Sequence, residues 1–118
     1  MSRNRIAIVG AVVVVFIALG AIIAFRNAGG GGQARSFTLT VANSKMTPDK
    51  IQAKAGDTLT VTIIKDQDGE VHLHGYDLHF EAKAGEKDTK TFKADKTGSF
   101  EIELEATSTH LGELDVTP

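Results

Sequence analysis

The sequence predicts an all-β protein, a small antiparallel sandwich preceded by one transmembrane helix. Three observations predict it. From Ser36 onward apolar and polar residues alternate in short runs, as in Phe37-Thr38-Leu39-Thr40-Val41, the period of strands that bury one face. Turn-forming residues such as Ala-Gly-Asp and Asp-Gln-Asp-Gly separate these runs, a rhythm of strands rather than helices. Ahead of them, Ile6 to Phe25 carries no charge over 20 residues. As a helix rising 1.5 Å per residue it spans about 30 Å, the thickness of a bilayer core.

Taken in order, residues 1–5 are read as a short cytoplasmic N-terminus and 6–25 as an uncleaved anchor. A cleavable signal peptide has a shorter apolar region followed by a small-x-small site, and Ala18-Leu19-Gly20 lies inside the run instead. Arg3 and Arg5 on one flank nearly balance Arg26 and Arg35 on the other. A single leading span usually keeps its N-terminus inside, which puts the remainder on the extracytoplasmic side. Residues 26–35 include four consecutive glycines that leave the backbone almost unrestricted, so they read as a tether. The folded domain is then 36–118.

Within it, Phe37, Leu39 and Val41 mark a first strand, and Pro48 interrupts after Met46 because it cannot donate to a ladder. Ile51 and Ala53 lead through Lys54-Ala55-Gly56-Asp57 to Leu59, Val61 and Ile63, an expected hairpin. Asp66-Gln67-Asp68-Gly69 turns into a histidine-rich stretch, and a strand around Phe92 follows between two further turns. Phe100, Ile102 and Leu104 are expected to face inward, with Glu101, Glu103 and Glu105 as a solvated face. Ala106 to His110 reads as a loop, and Leu114 and Val116 as a last strand. About seven strands, with four of the chain's six phenylalanines and its one tyrosine, supply one thin core.

The chemistry is concentrated in Glu70 to Phe80, EVHLHGYDLHF, which holds three of the four histidines. On a strand His72 and His74 point the same way, with Cβ atoms roughly 7 Å apart, so two imidazoles converge on one ion. Strict alternation fails across Gly75, because Val71 and Leu73 fall on one face while Tyr76, Leu78 and Phe80 fall on the other. A bulge at Gly75 restores the phase and puts His72, His74, Asp77 and His79 together on the polar side. In that geometry His79 lies some 16 Å from His74. Net charge −2 without clustered Lys or Arg excludes a nucleic-acid surface, and the absence of cysteine excludes disulfides, thiolate metal sites and a cysteine nucleophile. No enzyme is expected, since Ser108 lacks a glycine-framed elbow and the acidic residues form no isolated pair.

Residues 36–118 resemble a cupredoxin-like domain. MTPDKIQAKAGDTLTVTI, Met46 to Ile63, is similar to the family's second and third strands, and FKADKTGSFEIELE, Phe92 to Glu105, to the segment leading into its ligand loop. His110 with GELDV after it resembles the final histidine loop and last strand. VHLHGYD resembles the first-histidine region and the His-Leu-His-Gly segment of multicopper oxidases. The resemblance implies a Greek-key sandwich that binds copper through His72, His74 and His110, with His110 in a loop at the same end as the first-histidine strand. His79, Asp77 and Met46 are secondary candidates, Asp77 as an acceptor orienting an imidazole N–H and Met46 more simply as a core plug.

Leu104 stands near the place where blue-copper members carry cysteine, and no methionine follows His110, so blue-copper electron transfer is not expected. Imidazole ligands favour copper among divalent ions, with zinc as an alternative. Binding needs deprotonated rings, so affinity is expected to fall below about pH 6.5. The expected partners are a copper ion, the lipid bilayer through the N-terminal helix, and an envelope protein. The expected function is capture, buffering or transfer of copper. The alternative is a metal-free sandwich serving as an interaction or scaffold module.

Overall fold

Alternating apolar residues close into two packed sheets in the computed structural model, which describes residues 23–25 and 32–118. One sheet holds β1 (Ile23–Phe25), β2 (Ala34–Ala42), β5 (Thr58–Lys65) and β8 (Lys87–Lys93) in that order, with β3 (Lys45–Thr47) alongside β2. The other runs β4 (Lys50–Lys54), β10 (Thr109–Thr117), β9 (Gly98–Leu104), β6 (Val71–Leu73) and β7 (Leu78–Phe80). Phe37, Leu39, Val41, Leu59, Val61 and Ile63 from the first sheet meet Ile51, Val71, Leu73, Phe80, Ile102 and Leu114 from the second in one core. The all-β sandwich is therefore as expected.

Its pairing is not purely antiparallel. β2 and β5 run parallel, and so do β4 and β10. The cause lies at Lys54-Ala55-Gly56-Asp57, expected to close a hairpin. Instead the turn carries the chain from β4 in one sheet to β5 in the other, so β5 returns beside β2 in the same direction. Asp57 holds this crossover: its carboxylate accepts N–H bonds from Gln33 (2.8 Å) and Lys54 (2.9 Å) and the Arg35 Nε–H (2.6 Å). Burial pushes the Asp57 carboxyl up, but those two backbone donors and the Arg35 guanidinium together outweigh it and hold it below its ordinary value. Ala34 and Arg35, assigned from the sequence to the tether, thus belong to the folded unit. Ile23–Phe25, the end of the expected span, pair with Ala34 to Ser36. The rest of that span and residues 26–31 lie outside the described residues.

Lys65 was not foreseen as an interior residue. It ends β5 only 2% exposed, and its Nζ–H donates to the Phe80 carbonyl at 3.1 Å, tying the first sheet to β7. Burial pushes its ammonium below the ordinary lysine value, while Asp88, Asp68, Glu70 and Glu81 oppose that shift.

Candidate metal centre

The histidine stretch is a hairpin, not one bulged strand. β6 ends at Leu73, a turn occupies His74 to Asp77, and β7 returns antiparallel with His72 opposite His79 and Leu73 opposite Leu78. Gly75 is the pivot at φ +84°, and a Cβ there would lie 2.1 Å from Cδ1 of Phe100. Only glycine fits under that ring. Tyr76 packs against Phe100 and Phe92 and donates its hydroxyl to the Lys96 carbonyl (2.7 Å), which fixes the turn over the sandwich edge. The break in alternation across Gly75 is not the expected bulge. Its cause is a reversal of the chain, and that reversal brings His79 beside His72 rather than 16 Å from His74.

Three rings therefore cluster on the solvent side of the second sheet. His72 contacts His74, at a centroid distance of 4.2 Å, and His79, stacked at 4.3 Å. Across the sheet, register pairs run His79–His72–Glu103–His110 over four strands, so three of the four histidines share one face, and His74 joins them from the turn through its contacts with His72 and Glu103. Each imidazole meets carboxylates. His74 Nε2–H donates to Glu103 (2.5 Å), His110 Nδ1–H to Glu101 (2.9 Å), and His79 to Glu70 through Nδ1 and to Asp77 through Nε2. The Glu70 bond, then that to Asp77, raise the His79 imidazole above its ordinary value despite some desolvation. The His79 and His72 rings hold Glu70 and Asp77, respectively, below the usual carboxylate range.

His72 differs from the others. Its side chain is 13% exposed. Its Nε2 faces Asp77 at 3.2 Å, whereas Nδ1 is buried without a hydrogen-bond partner. Glu105 comes within 3.3 Å of Nδ1, close enough for an ion pair but not aligned for a hydrogen bond. A buried polar nitrogen left without a hydrogen bond is costly. Two sets of potential ligand atoms lie within 4.8 Å of one another: His72, His74 and Glu103, and His72, Asp77 and His79. Both offer nitrogen and oxygen donors, a combination suited to divalent transition metals.

The other sequence candidates fall outside these sets. His110 sits in β10 rather than in a loop, one strand beyond Glu103 and two from His72, roughly 10 Å away by strand spacing. A register shift between His110 and Gly112 accompanies its placement, with its ring on Glu101. Met46 is buried in the core, its Cε 2.7 Å from where a Cβ on Gly112 would stand. Leu104 packs against the core. The residues missed by sequence are the glutamates: Glu101, Glu103 and Glu105 look like the solvated side of an alternating strand, but each faces a histidine. The signal was the alternation itself, shared by two strands whose adjacency the sequence does not state.

The sequence of residues 13–116 matches the family model of the cupredoxin-like domain. The chain belongs to this family. No curated protein matches it. Among solved structures, the apo form of a copper binding protein, determined by NMR, aligns at 16% identity and a TM-score of 0.60, covering 79% of this chain and 93% of that one. The metal binding domain of the Cu(I) exporting P-type ATPase CopA of Streptococcus pneumoniae D39, with Cu(I), aligns at 14% identity and a TM-score of 0.66, covering 80% and 93%. A multicopper oxidase aligns at 14% identity and a TM-score of 0.59, covering 82% of this chain and 46% of its own. At these identities the likeness establishes the cupredoxin fold, shared with copper-binding proteins.

Proposed function

We propose that this domain binds copper through the histidines on the outer face of its second sheet, to capture, buffer or hand on the ion rather than to catalyse a reaction. We further propose that the apolar segment upstream of β1 anchors it, with the sandwich on the extracytoplasmic side. The observation that carries the copper reading is the convergence of His72, His74 and Glu103, whose ligand atoms lie within 4.8 Å of one another. Two structural neighbours named for copper binding support the choice of ion, as does the preference of imidazole nitrogen for copper among divalent metals. With no cysteine, coordination is by nitrogen and oxygen, and intense blue absorption is not expected.

Titration of the full chain with Cu(II), repeated with His72→Ala and His74→Ala, tests this. Binding that weakens at least tenfold in both variants supports the site, and unchanged binding in both removes it. The grip of Glu70 and Asp77 on both nitrogens of His79 favours one other reading, a metal-free ion-pair lattice on a scaffold or interaction domain. Absence of copper and zinc binding by the wild-type chain would establish that reading instead. A clear preference for zinc over copper would correct the ion without moving the site.

A further inference from the structure

Resting on the copper reading above, we propose that the two ligand sets are successive positions for one ion. His72, Asp77 and His79 form an outer receiving position, and His72, His74 and Glu103 an inner holding position. His72 stays bound while the ion crosses between them.

The sharing of His72 carries the argument. The two sets have no other member in common, and their remaining rings lie at nearly equal centroid distances from His72, 4.2 and 4.3 Å. A neutral imidazole presents a single lone pair, because its other nitrogen carries the proton. His72 therefore serves one ion at a time, and the two positions exclude each other. Filling both at once would require His72 to lose its remaining ring proton and bridge two ions.

Exposure gives the pair a direction. The Asp77 side chain is 86% exposed, on the hairpin turn, whereas Glu103 is 16% exposed, on the central strand β9. An ion arriving from solution, or from a donor protein, meets Asp77 and His79 first. It reaches the inner position by exchanging them for His74 and Glu103 while still held by His72. Each exchange replaces one ligand by another already within reach, so the ion is never stripped of all its protein donors. Departure follows the same route in reverse.

The test uses the full chain with Cu(II), by titration, stopped-flow uptake and removal by excess EDTA. The wild-type chain is expected to bind one equivalent. Asp77→Asn and His79→Asn should slow both uptake and removal about tenfold, a larger change than in equilibrium affinity, since the outer position lies on the path. His74→Asn should still bind one equivalent, at least tenfold more weakly, with faster removal. Thermal unfolding of each apo variant near the wild-type midpoint shows that the fold is kept. Two equivalents bound per wild-type chain, or uptake and removal rates unchanged in both Asp77→Asn and His79→Asn, would overturn the two positions and leave the copper reading standing. No copper bound by the wild-type chain would overturn both.

Discussion

The two outer faces of this sandwich come from the same sequence pattern and end in different chemistry. On the first sheet, Ser36, Thr60 and Thr91 form one row across β2, β5 and β8, and Thr38, Thr62 and Thr89 form the next. Hydroxyls pair directly there, Thr60 with Thr91 at 3.1 Å and Thr62 with Thr89 at 2.8 Å. On the second sheet the equivalent rows hold imidazoles and carboxylates. A hydroxyl both donates and accepts, so neighbouring threonines satisfy each other locally. An imidazole has one donor and one lone pair at neutral charge, and a carboxylate only accepts, so the second face cannot close on itself in one arrangement. His72 Nδ1 is left over on this sheet, while on the first sheet Thr40 Oγ1, in β2 beyond the paired rows, is also buried without a partner. Alternation thus tells which side chains face out. Whether that face is finished or still open to a ligand depends on the donors and acceptors it carries.

The comparison breaks most sharply if the hairpin is disturbed. Gly75→Ala would place a methyl in the Phe100 ring at a left-handed backbone position, and about 3 kcal/mol of stability should be lost. Chemical denaturation measures this, and copper affinity should fall with it because His74, which begins that turn, would lose its place beside His72 and Glu103. Both faces also depend on the crossover at Asp57, where Asp57→Asn should cost about 2 kcal/mol by weakening three charge-assisted bonds. The folded carboxyl titrates below its ordinary 3.8, so the folded state takes up this proton less readily than the unfolded chain. Its contribution is complete above about pH 4 and is lost as pH falls below that. Denaturation midpoints at pH 7 and pH 3 should therefore differ less in Asp57→Asn than in the wild type. An equal difference would show that Asp57 does not carry the acid sensitivity.

Much of the architecture was legible because the signals were local. Phe37-Thr38-Leu39-Thr40-Val41 could only be a strand with one face buried, and His72 and His74, two residues apart, had to share a side. Long-range adjacency was not legible. Nothing local in Lys54-Ala55-Gly56-Asp57 distinguishes a hairpin from a crossing between sheets, since the deciding partners, Gln33 and Arg35, lie far back in the chain. The same limit hid the glutamates: Glu103 acquires its meaning from the pairing of β9 with β6, which puts it opposite His72. At Gly75 the broken alternation was visible, but a bulge and a reversal both repair it. The ring of Phe100 pressed against the glycine is what the sequence could not supply.

The smaller effects separate the two faces residue by residue. His110 shares the imidazole face but belongs to neither ligand set and is 64% exposed, so His110→Asn should change copper affinity less than twofold. His74→Asn, by contrast, should cost at least tenfold, about 1.4 kcal/mol. Equal losses from the two variants would mean that His110 reaches the ion after all and that the site spans β10.

The smallest effect is expected on the other sheet. In Thr62→Val with Thr89→Val, both members of an exposed hydroxyl pair are replaced by residues of nearly the same shape and strong strand preference. Removing both partners at once strands no donor or acceptor, so stability should move by no more than about 0.5 kcal/mol and copper binding not at all. A loss above 1 kcal/mol in thermal or chemical unfolding would show that the hydroxyl rows contribute more than mutual satisfaction. A change in copper affinity would show that the two faces communicate through the core, since no side chain of the first sheet's outer face belongs to either ligand set.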